Sequence, residues 1–234
     1  MSIQQDMSTT TSQFGVFSTR AEPPARRAIA AIEVLVTYSA VLLYIWRWQF
    51  SHPFSWIPLF ALVLLSHVLH RDSLRDLGLS WHALRASAQL ILPVAVLIFL
   101  SSLVYGLAKG SVVLIIPGTA AFRYFGGYLV WCSFQQYLAQ SFFNNRLMGV
   151  VRNRHLSSSL VALMFGAAHI PNLILMVGTT LGGFLLAETF ARHRNIWPLA
   201  LAQAVGGALI AALAPASLIH NMRVGPGYFF YGVG

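Results

Sequence analysis

In "WCSFQQYLAQSFFNNRL", Trp131 to Leu147, three glutamines (Gln135, Gln136 and Gln140) sit among aromatic and aliphatic residues with no acid beside them. Two further polar residues stand in apolar surroundings: His169 closes "FGAAH", and Gln203 lies four residues before Gly207. A glutamine amide donates and accepts hydrogen bonds but does not titrate near neutral pH, whereas an imidazole does. Such a set offers one proton acceptor, His169, and several neutral groups able to orient water or an oxyanion, or to bind a polar headgroup. It does not offer a carboxylate base. Gln140 reads equally well as a cross-helix contact that holds a bundle together, a role worth about 1 kcal/mol.

Other candidates carry less. His67 and His70 in "SHVLH" have the i, i+3 spacing of two metal ligands, but no third ligand lies near them, so no metal site is assigned and no cofactor is expected. Cys132 is the only cysteine, which excludes an intramolecular disulfide and a thiolate cluster within one chain. Glu33 and Glu188 fall within apolar runs, close enough to an end to reach the interface.

The elements that must position these side chains are membrane helices. The chain is 57% apolar and 9% charged, where a soluble domain is about 25% charged. The fold class expected is all-α, a polytopic membrane helix bundle of about seven transmembrane helices, with six to eight allowed. They are placed near 28–48, 53–70, 86–108, 119–143, 156–170, 172–191 and 196–214. Residues 1–27 read as a disordered cytoplasmic tail with no apolar signal-peptide core, 28–214 as the bundle, and 215–234 as an interfacial tail with an aromatic anchor around Tyr228 to Tyr231.

The net charge of +9 follows topology and does not call for nucleic acid. Arg20, Arg26 and Arg27 precede the first span; Arg71, Arg75 and Arg85 lie between the second and third; Arg146, Arg152 and Arg154 follow the fourth; Arg192 and Arg194 follow the sixth. That bias places the N-terminus in the cytoplasm and, for an odd number of spans, the C-terminus outside, in what is expected to be a bacterial inner membrane. Gln135 then lies roughly 16 Å from Arg146, His169 roughly 20 Å from the inner end of its helix, and Gln203 roughly 14 Å from Arg194, at about 1.5 Å per residue. These depths agree, so three helices bring Gln135, Gln136, His169 and Gln203 together near the middle of the bilayer.

Local signals complete the picture. Pro171 in "HIPN" breaks a helix at membrane depth, where irregular backbone persists only if buried in protein or lining a cavity. "RDSLRDLGLSWHALRASA" mixes charge with Leu and Trp at helical spacing and is expected along the inner interface. The serines of "RLMGVVRNRHLSSS" are expected to cap the helix that follows. Gly182, Gly183, Gly206 and Gly207 suit close helix approach.

The order of a polar pair deep in one helix, "FGAAH" on the next, and a polar residue four before a small one after "RHRNIWPLAL" resembles the CPBP family, the CAAX proteases and bacteriocin-processing enzymes also called Abi, over roughly residues 70 to 214. The resemblance implies an intramembrane peptidase with motifs Glu-Glu-x-x-x-Arg, Phe-x-x-x-His and His-x-x-x-Asn, in which glutamate and histidines activate water and the asparagine stabilises an oxyanion. Carried onto this chain, the first motif falls on Gln135, Gln136 and Gln140, the second is intact as Phe165 and His169, and the third falls on Gln203 and Gly207. Asn172 belongs to the "HIPN" turn typical of the family.

By this resemblance His169, Gln135, Gln136 and Gln203 are the candidate catalytic positions, with Gln140, Phe165, Asn172 and Gly207 around the cavity. The acids, the arginine and the second histidine are all glutamine here. The favoured function is a CPBP-like protein with a neutral intramembrane cavity, a pseudoenzyme or a binding and maturation helper. The alternatives are a peptidase or related hydrolase working through His169 and an accessory subunit of a membrane complex. The partners expected are membrane lipids, a membrane-embedded peptide or lipid-linked ligand, and a protein partner or a second copy of the chain.

Overall fold

The structure, a computed structural model, describes residues 23–109, 119–213 and 219–230. Among these residues there is no strand. Helix α1 (Pro24–Leu43) opens on a proline, whose missing N–H is not needed in a first turn, and continues into a widened turn at Tyr44–Trp48. Then come α2 (Trp56–His70) and α3 (Leu84–Lys109). Helix α4 (Thr119–Gln136) runs through a π-helical stretch, Tyr137–Asn144, straight into α5 (Asn145–Val151). The remainder is α6 (Arg154–Ala167), α7 (Leu173–Arg192), α8 (Trp197–Leu213) and the single turn α9 (Gly227–Phe230).

The expected all-α membrane bundle is what is found. Pro24–Trp48, Pro53–His70, Leu84–Ala108 and Leu173–Arg192 are each long and apolar enough to cross a membrane, while the apolar run Trp197–Ala212 is shorter. Helix α6 packs along α7, α8 is flanked by α3 and α4, and α1 lies on α5. Phe142, Phe143, Val63 and Ala187 centre one apolar core, and Phe190, Ile196 and Leu199 another. Many large apolar residues point outward instead, Leu97 at 65% exposure and Leu181 at 69% among them. In water such a surface would drive aggregation, and in a bilayer it is the lipid-facing surface.

The break at "HIPN" falls where Pro171 puts it. Helix α6 stops at Ala167, the Ile170–Pro171 peptide is cis, and the Asn172 side chain caps α7 by accepting from the Leu175 N–H at 3.3 Å. Two local expectations are corrected. Helix α6 is capped by Asn153, which accepts from the Leu156 N–H at 3.0 Å, and Ser157 turns inward. The segment before Leu84 forms turns and no helix, because its backbone oxygens are taken by side chains of the bundle. The Ser141 hydroxyl donates to Leu77 O at 2.6 Å and Asn195 Nδ2 to Ser80 O at 2.8 Å. Gly78 there has φ +70°, and a Cβ on it would meet the Phe190 ring at 2.6 Å. Of the glycines read as close-approach positions, Gly183 meets Phe165 and Ala162, whereas Gly182 and Gly206 meet nothing within 4 Å.

Candidate functional site

Residues four apart share a helix face, and along α4 and its π-helical extension that face reads Tyr128, Cys132, Gln136, Gln140, Asn144. The amides on it are joined head to tail. Asn144 Nδ2 donates to Gln140 Oε1 at 3.0 Å, Gln140 Nε2 to Gln136 Oε1 at 3.2 Å, and Gln136 Nε2 to Gln203 Oε1 at 2.6 Å. Gln203 on α8 then donates through Nε2 to Gln135 Oε1 at 2.5 Å. At the other end the Ser157 hydroxyl of α6 donates to Asn144 Oδ1 at 2.8 Å, and Asn144 Nδ2 also reaches Ala187 O of α7 at 3.2 Å. One uncharged chain of carboxamides thus ties α4, α6, α7 and α8 together.

The chain ends at a cavity of about 1250 Å³ lined by Tyr128, Gln135, Phe165, His169, Gln203 and Gly207, among others. A second, more apolar cavity of about 610 Å³ shares Trp131, Gln135, Phe165 and His169 with the first. Among the described residues no Asp or Glu lines either one, and His169 is the only imidazole on their walls. His169 Nδ1 lies 2.7 Å from Phe165 O, one turn back in its own helix. A carbonyl oxygen only accepts, so Nδ1 carries the proton and donates, and Nε2 is left as the acceptor. The Phe165 ring stands edge-on to the imidazole, centroids 5.0 Å apart, and fixes its plane.

The sequence-predicted residues therefore divide. Gln135, His169, Gln203, Phe165 and Gly207 share one cavity wall. Gln136 and Gln140 lie behind it at 0% and 1% exposure, as links in the amide chain. Asn172 faces away, donating through Nδ2 to Ile219 O at 2.7 Å and Arg223 O at 3.2 Å, so it holds the C-terminal segment beside the turn. That segment borders the cavities through Val224, and the Gly225 N–H donates to Ile170 O at 2.9 Å.

Sequence reading missed Asn144, although it is one more step of four beyond Gln140, and it missed Tyr128. The Tyr128 hydroxyl occupies the space a side chain at Gly207 would need, so the notch left by the small residue is filled by a neighbouring helix. As a metal centre the wall does not fit: catalytic zinc takes three His, Cys or carboxylate ligands, and amides beside one imidazole do not supply them.

A second polar cluster lies at the far end of the same helical run. Arg146, 5% exposed, donates through Nε to Glu33 Oε2 at 3.1 Å and through Nη2 to Asp72 Oδ2 at 2.8 Å and Ser66 Oγ at 3.0 Å. His67 Nδ1 lies 2.7 Å from the Asp72 carboxylate, and His70 Nε2 3.1 Å from that of Glu33. Glu33 is thus tied into the bundle, and each histidine of "SHVLH" has a carboxylate partner. Glu188 likewise sits in an ion-pair group, 3.3 Å from Arg154 and 3.0 Å from His155.

Residues 133–209, which hold the amide chain, the His169 turn and Gln203, match the family model described as "Rce1-like: Type II CAAX prenyl endopeptidase Rce1-like". That segment is similar to the CAAX-protease, or CPBP, family, and the chain that carries it is a helical membrane protein. No curated protein and no solved structure matches it.

Proposed function

We propose that this protein binds a ligand within the membrane without cleaving it, as a non-hydrolytic member of its family, in a bacterial inner membrane with its N-terminus in the cytoplasm. The observation that carries the reading is the cavity wall itself: amides, one imidazole and no carboxylate among the described residues. Hydrolysis needs a group to take water's proton, and a carboxamide does not titrate, so the glutamines cannot supply the factor of about 10²–10⁴ in rate that a base contributes, and His169 is the one group on these walls that could. The amide chain instead satisfies itself inside the bundle and holds neutral groups at the cavity wall around Gln135 and Gln203, while Arg223 stands on the wall of the larger cavity. Membrane lipid, a lipid-linked molecule or a membrane-embedded peptide are the occupants such a wall accommodates, and a protein partner or a second copy of the chain is compatible with it.

One observation favours a second reading, catalysis through His169. The Phe165 carbonyl holds Nδ1 as donor and leaves Nε2 able to take a proton. The two readings separate in liposomes holding purified protein and a prenylated peptide ending in a CAAX sequence. The first expects no product above that of the His169→Ala protein. Cleavage that disappears in His169→Ala would replace it with the second.

A further inference from the structure

Each carboxamide has one acceptor oxygen and one donor nitrogen, so in a head-to-tail chain the direction taken by the first member sets the direction of all the others. Here the first member is set by backbone. Asn144 Nδ2 lies 3.2 Å from Ala187 O, which only accepts, so the nitrogen must be on that side. The same nitrogen meets Gln140 Oε1, and every later link follows: Gln140 to Gln136, Gln136 to Gln203, Gln203 to Gln135. Gln135 therefore uses its oxygen within the chain and keeps its NH2 for the two cavities it lines. On the same walls His169 presents Nε2 as an acceptor, because the Phe165 carbonyl takes its Nδ1 proton. Two backbone carbonyls, on α7 and α6, thus give the cavities one fixed donor and one fixed acceptor, both uncharged.

We propose that the ligand is a secondary amide carried on a hydrocarbon chain. Its carbonyl oxygen accepts from Gln135, its N–H donates to His169 Nε2, and its chain lies in the 610 Å³ cavity, whose walls include Tyr38, Val41, Leu59, Leu138 and Met164. An ester of the same length has no N–H for His169. An alkyl phosphate brings a charge that needs a cation beside it, and Arg223, the cationic residue on these walls, lines the larger cavity and not the 610 Å³ one. The proposal rests on the reading of a non-hydrolytic binding site and names the ligand class of that site.

The test uses the full-length protein in lipid nanodiscs with three probes that share a diazirine-bearing dodecyl chain and differ in the head: an N-methyl amide, a methyl ester and a monophosphate. Labelled peptides are mapped by mass spectrometry. The amide should label the cavity wall around Trp131 and Gln135 about tenfold more than the ester, the effect of one buried hydrogen bond, and more than the phosphate. His169→Phe should abolish that preference, because the N–H that the ester lacks is the one His169 accepts, whereas Gln135→Met should lower labelling by amide and ester alike. So should Asn144→Asp, although Asn144 lines neither cavity. A carboxylate there has no N–H, so Gln140 must turn its nitrogen toward it, and the chain reverses until Gln135 shows an oxygen. Where Asn144→Asp does not fold, His169→Phe and Gln135→Met decide.

Equal labelling by ester and amide would overturn the ligand class and leave binding in the cavity intact. Equal competition by an acetylated peptide amide without the chain would overturn the hydrocarbon half. Absence of label at the wall from every probe would overturn both the class and the binding site. Cleavage of the amide would overturn the non-hydrolytic reading while the ligand class stood.

Discussion

The helical run from α4 to α5 carries two polar clusters, the amides from Gln135 to Asn144 and the group around Arg146, two residues further on. One is built of ions and the other of amides. At Arg146 a guanidinium joins two carboxylates and a hydroxyl, and each of two imidazoles meets one of those carboxylates, drawn from the middle of α1, the last turns of α2 and the loop after it. At Gln136 the partners come from inside the helices, where each further charge would be costly in hydrocarbon unless paired. The difference is one of neighbours. Arg146 has a loop that can bend to deliver Asp72. Gln136 meets only side chains carried on helices, and there a chain of groups that both donate and accept closes without any ion.

That contrast sets an order of fragility. Arg146→Met leaves Glu33 and Asp72 facing each other without their cation, and stability should fall by about 3–5 kcal/mol, the usual result of removing one partner of a buried ion pair. Denaturant unfolding in mixed micelles measures it, and a loss below about 1 kcal/mol would make the cluster an ordinary solvated one. Gln136→Leu orphans Gln203 Oε1 and Gln140 Nε2, with an expected loss of about 1–3 kcal/mol. If the glutamine change proved the more damaging, the amide chain would be the main tie between α4 and α8, and the ionic cluster would be secondary.

Much of this was legible in the sequence, for reasons that differ by residue. Spans follow from apolar length, and the turn at His169 from Pro171, because both depend on local properties. Gln136 and Gln140 advertise themselves by four-residue spacing, and Asn144 continues it. The choice of Gln135 for the wall and Gln136 for the interior was not visible. It depends on how α4 is turned against α8, whose Gln203 meets both residues, and that contact joins segments far apart in sequence. The Tyr128 hydroxyl filling the notch at Gly207 joins two helices far apart in sequence, which no local pattern can encode. The partners of Glu33 were hidden for the same reason: Arg146 and His70 are reached only when α1 packs on α2 and α5.

The smallest effect, and the sharpest separation of the clusters, is expected in acid. Burial by itself raises the Asp72 pKa, but hydrogen bonds from His67 and Arg146 and the charge of Arg146 outweigh it and hold the carboxyl at about 2, below its ordinary 3.8. A carboxyl lowered in the folded state contributes stability that is fully present above the ordinary value and is lost as pH falls through the folded value. Unfolding midpoints should therefore drop between about pH 4 and pH 2, by less than Arg146→Met causes, because Asp72 is only partly buried and solvent screens it. Asp72→Asn removes the titrating group and should flatten its share of the drop. Gln136→Leu removes nothing that titrates there, so its curve should run below that of the unaltered protein and parallel to it. A change of shape with Gln136→Leu would mean that breaking the amide chain is felt at the ion pairs through the shared helix, and the two clusters would then have to be treated as a single coupled unit.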